Sequence, residues 1–128
     1  TRTDVRFISE GANMNIALRT GNLFVAKLFQ FLFNTTRLSD VGCTYKLFKK
    51  EVIEKIKKDF TVGKEHFGVE LMILVALEGF NIVEIPVNYQ KRVGKSSVTG
   101  YPTKTFFLAL KMMEIIIHYS LNKKMGRQ

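Results

Sequence analysis

Tryptophan is absent from this chain, cysteine occurs once and histidine twice. With Cys43 alone, neither an internal disulfide nor a cysteine-based zinc site can form, and a reducing compartment is the simplest context. His66 and His118 lie far apart, which excludes a histidine-rich metal site, although either could pair with a carboxylate. No Asp-x-Asp pair occurs, so a nucleotide-bound Mg²⁺ or Mn²⁺ lacks its usual oxygen ligands. The Gly-x-x-x-x-Gly-Lys-Ser/Thr loop and the Gly-x-Gly-x-x-Gly fingerprint are also missing, since Gly94-Lys95-Ser96 has no glycine at the required upstream spacing. There are no repeats or low-complexity tracts.

What is present is 128 residues, enough for one domain with a modest core. The chain opens Thr1-Arg2-Thr3 without an initiator methionine or a signal-peptide pattern, and we expect a processed or excised piece. A formal charge of +9 and a pI near 9.8 call for an anionic partner: a phosphorylated ligand, acidic lipid or nucleic acid. Hydrophobic residues reach 46% beside 24% charged, and much of the phenylalanine (11 residues) falls in two helical stretches.

The first twenty residues, with Gly11, Asn13, Asn15 and Gly21, read as loop with some irregular helix. Lys27, Gln30 and Asn34 then mark a narrow polar stripe on a helix over 22–34, which is either buried on most sides or rests on a membrane or partner. An extended segment is expected over 45–48 and a charged helix over 50–58, with Val52, Ile53 and Ile56 inward. Glu51–Lys55 and Glu54–Lys58 are its favourable pairs. A helix over 66–77 closes at Gly79, as the left-handed position after a C-terminus requires.

Ile82 to Val87 favour strand, restricted by Pro86 to an edge or irregular stretch. The last helix, about 104–121, keeps Lys104, Lys111, Glu114, His118 and Asn122 along one side. Its apolar stretch falls short of the ~20 residues a spanning helix needs. It is either an interfacial helix whose Lys123, Lys124 and Arg127 meet anionic headgroups, or a core helix without its cover.

Three places carry candidate chemistry. Lys91, Arg92 and Lys95 surround Gly94 beside Ser96 and Ser97 at the end of the strand. Cations and small donors converging there suit a phosphate or pyrophosphate, although a solvated basic turn has the same composition. Asp40, before Gly42 in a loop between apolar elements, is the strongest acid: a general base, or a turn cap through an Asx-type bond. Glu70 interrupts an apolar helix, where it either takes Arg92 or Lys91 as partner or lies on an exposed face.

Taken in order, several segments resemble the C-terminal half of family 2 glycosyltransferases of the dolichyl-phosphate mannose synthase type. They are Thr1-Arg2, Gly21-Asn22, Ser39-Asp40-Val41-Gly42-Cys43-Thr44-Tyr45-Lys46-Leu47-Phe48-Lys49-Lys50-Glu51-Val52, Phe67-Gly68-Val69-Glu70-Leu71, Gly79-Phe80, Val83-Glu84-Ile85-Pro86-Val87 and Arg92-Val93-Gly94-Lys95-Ser96. The resemblance implies an α/β fragment, the C-terminal half of a GT-A fold, mainly helices with a few short strands. It implies residues 1–103 as the acceptor-binding half and 104–128 as an amphipathic helix with a basic tail.

The implied reaction moves a sugar from a nucleotide-sugar donor to a polyprenyl (dolichyl) phosphate at the cytoplasmic membrane surface. Mg²⁺ or Mn²⁺ and the nucleotide would be held by a half absent from this chain, leaving the fragment alone inactive. By resemblance Asp40 is the acid near sugar and acceptor. Arg2, Arg92, Gly94 and Ser96 contact the acceptor phosphate, Arg19 is a second contact, and Glu70 and Lys95 support. Many relatives carry lysine where Ser97 stands, Lys95 supplying the charge instead, and residues 5–15 match no family motif.

The alternative is a basic, non-enzymatic module that binds anionic membrane or nucleic acid, with aromatic stacking in a basic groove. The phenylalanines fall at core-like helical spacing, so nucleic acid is not the expected partner.

Overall fold

The computed structural model describes the chain apart from residues 13, 15, 62, 64, 65, 92, 95–101 and 126–128, and apart from the side chains at 102 and 123–125. After a 3₁₀ turn at Val5–Phe7 come α1 (Ile16–Phe33), α2 (Lys50–Ile56), α3 (Phe67–Leu77) and α4 (Pro102–Met125). The fold is mostly helical.

The centre is α3. Every side chain from Val69 to Ala76 is buried, as expected of a helix that is apolar all round. One side of α3 (Val69, Met72, Ile73, Ala76) joins Val25, Ala26, Phe29 and Phe33 of α1 and Ile115 and Ile116 of α4. Its other side (Leu71, Leu74, Val75) meets Val52 and Ile56 of α2. The helix closes as Gly79 predicts: at φ +75°, the Gly79 N–H reaches Ala76 O at 3.2 Å and the Phe80 N–H reaches Val75 O at 3.2 Å. Asn34, at φ +51°, ends α1 in the same left-handed way.

By length and composition α1 could cross a membrane, yet its Val25, Ala26, Phe29 and Phe33 stripe is core. It begins at Ile16, six residues before the expected start at 22. Gly21 sits inside the helix, where a glycine costs only about 1 kcal/mol relative to alanine, so it does not mark a boundary. The salt-bridge pattern of α2 also differs from expectation. Lys55 reaches Glu78 at 2.6 Å and Glu54 pairs with Lys57, because α2 ends at Ile56 and leaves Lys58 off the helix.

The short strands expected of the fold do not form among the described residues, including the one near 81–89. That segment keeps a strand's alternation, Ile82 and Glu84 inward, Val83 and Ile85 outward, but it lacks a continuous neighbour. The N-terminal segment touches it twice. The Thr1 nitrogen donates to Ile85 O (2.6 Å) and Val87 N–H to Thr1 O (3.1 Å). Farther on, Tyr89 N–H donates to Phe7 O (2.7 Å) and Ser9 N–H to Tyr89 O (3.0 Å). The 3₁₀ turn at Val5–Phe7 separates these contacts, leaving an isolated parallel bridge at Ile8–Tyr89. Pro86 falls between two bonding residues, where its missing N–H is not needed. Residues 45–49 are likewise irregular, with Tyr45 and Leu47 exposed.

Candidate functional site

The loop after α1 is pinned by two buried apolar side chains, Leu38 and Val41, with Ser39 and Asp40 between them. This places Asp40 beside the N-terminal segment. Arg2 donates from Nε to Oδ2 (2.8 Å), from Nη2 to Oδ1 (2.9 Å) and from its backbone N–H to Oδ2 (3.2 Å). The Asp40 side chain is 0% exposed and that of Arg2 24%, so a planar fork satisfies a buried carboxylate on both oxygens. Hydrogen bonding to Asp40 raises the Arg2 pKa further above its usual value, against the effect of burial. The Arg2 guanidinium also lies 6.0 Å from the centre of the Tyr89 ring. Because the Asp40 carboxylate faces Arg2, the local Asx-type cap does not form among the described residues.

A second carboxylate holds the backbone of this loop. Glu84 Oε1 accepts from Asp40 N–H (2.8 Å), and Oε2 accepts from Ser39 N–H (2.8 Å) and Ser39 Oγ (2.7 Å). Thr1, Thr3 and Ser39 add linked hydroxyls at 2.8–2.9 Å. From the far side Lys46 folds back, its Nζ donating to Val41 O (3.3 Å) and to Cys43 O. Burial lowers the Lys46 pKa, partly opposed by Cys43 and Asp40, while Arg2 lowers it further.

Thr1, Asp40, Lys46 and Glu84 edge an open cleft of about 700 Å³. Asp40, Cys43 and Lys46 are polar groups on its wall, while Leu47, Ile82 and Ile85 contribute apolar surface. Such a cleft sets polar groups beside an apolar run. It suits a ligand with a charged head and an apolar body.

Other candidates lie elsewhere. Arg19, on α1, donates from Nε to Thr3 O at 2.8 Å and lines a separate hollow with Asp4 and Arg37. Gly94 is exposed and left-handed at φ +91°, a conformation glycine adopts without strain. Arg92, Lys95 and Ser96 lie outside the described residues. Glu70 is fully buried, which overturns the exposed-face alternative. Its Oε1 accepts from Thr61 N–H (2.8 Å), Thr61 Oγ1 (2.6 Å) and Tyr119 OH. Burial raises the Tyr119 pKa, reinforced by its bond to Glu70 and opposed by Thr61. No group of three His, Cys, Asp or Glu side chains able to hold a metal ion occurs among the described residues.

Over 95 residues the chain is 30% identical to a dolichyl-phosphate hexose transferase of Haloferax volcanii. It has a glycosyltransferase-like relative. The match takes in 73% of this chain and 40% of that protein, so the chain spans about two fifths of the relative's length. No protein-family model and no solved structure matches the chain.

Two residues of the Asp40 cluster escape a reading of sequence alone. Glu84 is one charge in the run Val83-Glu84-Ile85, which ordinarily marks an outward position, but the alternation of that run turns it inward. Lys46 sits among several lysines and carries no local signal; only the fold of the loop brings it onto carbonyls five and three residues behind it.

Proposed function

We propose that this chain is the acceptor-side part of a membrane-associated family 2 glycosyltransferase of GT-A architecture. The complete enzyme would move a sugar from a nucleotide-sugar to a polyprenyl phosphate of the dolichyl class at the cytoplasmic face. The 95-residue likeness to the dolichyl-phosphate hexose transferase carries this reading. The cleft's polar groups beside an apolar run support it, since a polyprenyl phosphate has a charged head and an apolar body.

Arg2 can serve both Asp40 and the acceptor. Asp40 engages Nε and Nη2 of the guanidinium, and the acceptor phosphate would meet its remaining N–H donors. Arg92, Gly94, Lys95 and Ser96 would bring further donors as the acceptor enters. Asp40, held by Arg2, would lie near the reacting centre, where it orients the acceptor and offsets positive charge developing on the sugar. The acceptor phosphate oxygen then attacks the anomeric carbon. A Mg²⁺ or Mn²⁺ bound with the nucleotide would be held by residues outside this chain.

The test is transfer of labelled hexose by the full-length enzyme to dolichyl phosphate, with unphosphorylated dolichol as control. Transfer requires the phosphate, and Arg92→Ala weakens use of dolichyl phosphate far more than nucleotide-sugar binding. Arg92→Lys restores it only partly. Glycosylation of a different acceptor, with none of dolichyl phosphate, overturns the proposal.

A further inference from the structure

Both members of the Asp40–Arg2 pair are held from one short segment, residues 84–89. Glu84 Oε1 accepts the Asp40 N–H at 2.8 Å. Ile85 O and Val87 N–H bond to Thr1, the neighbour of Arg2, and the Tyr89 ring lies 6.0 Å from the Arg2 guanidinium. Pro86, in the middle, fixes one backbone angle of the segment. Glu84 is the one charged residue in this stretch. It is half-buried and uses both oxygens on the loop, Oε2 on the Ser39 N–H and hydroxyl and Oε1 on the Asp40 N–H. Its backbone partners are therefore the two amides that lead into Asp40, while the Asp40 carboxylate is met by Arg2.

The loop has other means of staying docked. Leu38 and Val41 are buried, and Lys46 holds the Val41 and Cys43 carbonyls from the far side. What Glu84 adds is the direction of the peptide that carries Asp40. The fork needs that direction, because both Asp40 oxygens must meet Nε and Nη2 at 2.8 and 2.9 Å. A carboxylate suits the task, since three donors converge on it. Glutamine offers a single oxygen, and whichever way its amide turns, the NH₂ group faces the N–H of Asp40 or of Ser39.

We propose that Glu84 is a positioning residue: by fixing the Asp40 peptide it aims the Asp40 carboxylate at Arg2 and so sets how Arg2 faces the cleft. That the aimed pair serves sugar transfer rests on the proposed function; that Glu84 aims it does not.

A double-mutant cycle in the full-length enzyme tests the role in turnover. Glu84→Gln alone lowers kcat by a factor on the order of ten. Added to Asp40→Asn it lowers kcat by no more than about twofold, since the group it aims is already disabled. Residue-resolved amide exchange on the same enzyme gives a reading without transfer. The Arg2 N–H donates to Asp40 Oδ2 at 3.2 Å, so Glu84→Gln speeds exchange at Arg2. It leaves exchange at Val87, whose N–H bonds to Thr1 O, unchanged.

Equal losses of kcat in the two backgrounds overturn the proposal, as does an unchanged Arg2 amide. Faster exchange at Val87 as well also overturns it, showing that Glu84 holds the whole segment in place instead of aiming the pair. Failure of the unaltered enzyme to use dolichyl phosphate would remove the transferase reading and leave the exchange result to decide what Glu84 does.

Discussion

Two buried carboxylates divide this molecule, and they sit in different surroundings. Asp40 sits at a cleft and is met by a full positive charge, the bidentate Arg2. Glu70 sits in the central helix, off that cleft, and among its contacts accepts from the Thr61 amide and hydroxyl and the Tyr119 hydroxyl. Burying a carboxylate demands partners in both places, so burial does not distinguish function from structure. We expect access to a cleft to do so. Asp40 borders an opening, whereas the contacts of Glu70 tie together a loop, α3 and α4.

The largest effect expected from this contrast is on turnover. In the full-length enzyme, Asp40→Asn lowers kcat by a factor on the order of a hundred or more, far beyond any loss of folded protein measured by Tm. Glu70→Gln does the reverse: stability falls by about 1–3 kcal/mol while kcat per folded molecule stays within a few-fold. Exchange of these two phenotypes would break the distinction.

Glu84→Gln sharpens it. Exchanging the acceptor of three bonds for an amide costs about 1–3 kcal/mol in urea unfolding, with loss of activity intermediate between those two variants. Tyr119→Phe removes one hydroxyl from the Glu70 network and lowers stability by about 0.5–1.5 kcal/mol, with no change in acceptor KM.

The smallest effect is a pH dependence. The Lys46 pKa is lowered from 10.5 in the folded chain, so in the interval between the lowered value and 10.5 the unfolded chain binds more protons. Stability therefore rises with pH across that interval. Lys46→Met removes this rise, and the difference between the two unfolding curves measured from neutral to alkaline pH checks it. Parallel curves would show that Lys46 is in effect solvated.

Helices were legible where period and punctuation are local. The inward Val52 and Ile56, the apolar run of α3 and the Gly79 closure can all be read within a few residues. The strand near 81–89 was not, because a strand exists only with a neighbour, and the nearest segment lies more than seventy residues away and is broken by a turn. The same limit applies to the site. Asp40 stood out by its loop, but its partnership with Arg2 spans 38 residues, and the inward turn of Glu84 depends on how that irregular segment lies across the loop. Arg19 and Glu70 show the converse, since spacing along the chain gave no sign that they would sit apart from Asp40.

The two-sided burial of α3 has a further consequence for how the molecule comes apart. A helix shared by both apolar clusters cannot lose one without exposing the other, so the two behave as one cooperative unit. Amide exchange should show Val69 to Ala76 opening only with global unfolding. The irregular segment 81–89 at the cleft, joined to the N-terminal segment by isolated hydrogen bonds, should open more often. Protection would then grade from the cleft inward, and the part proposed to receive ligand would be the part free to move while the molecule stays folded.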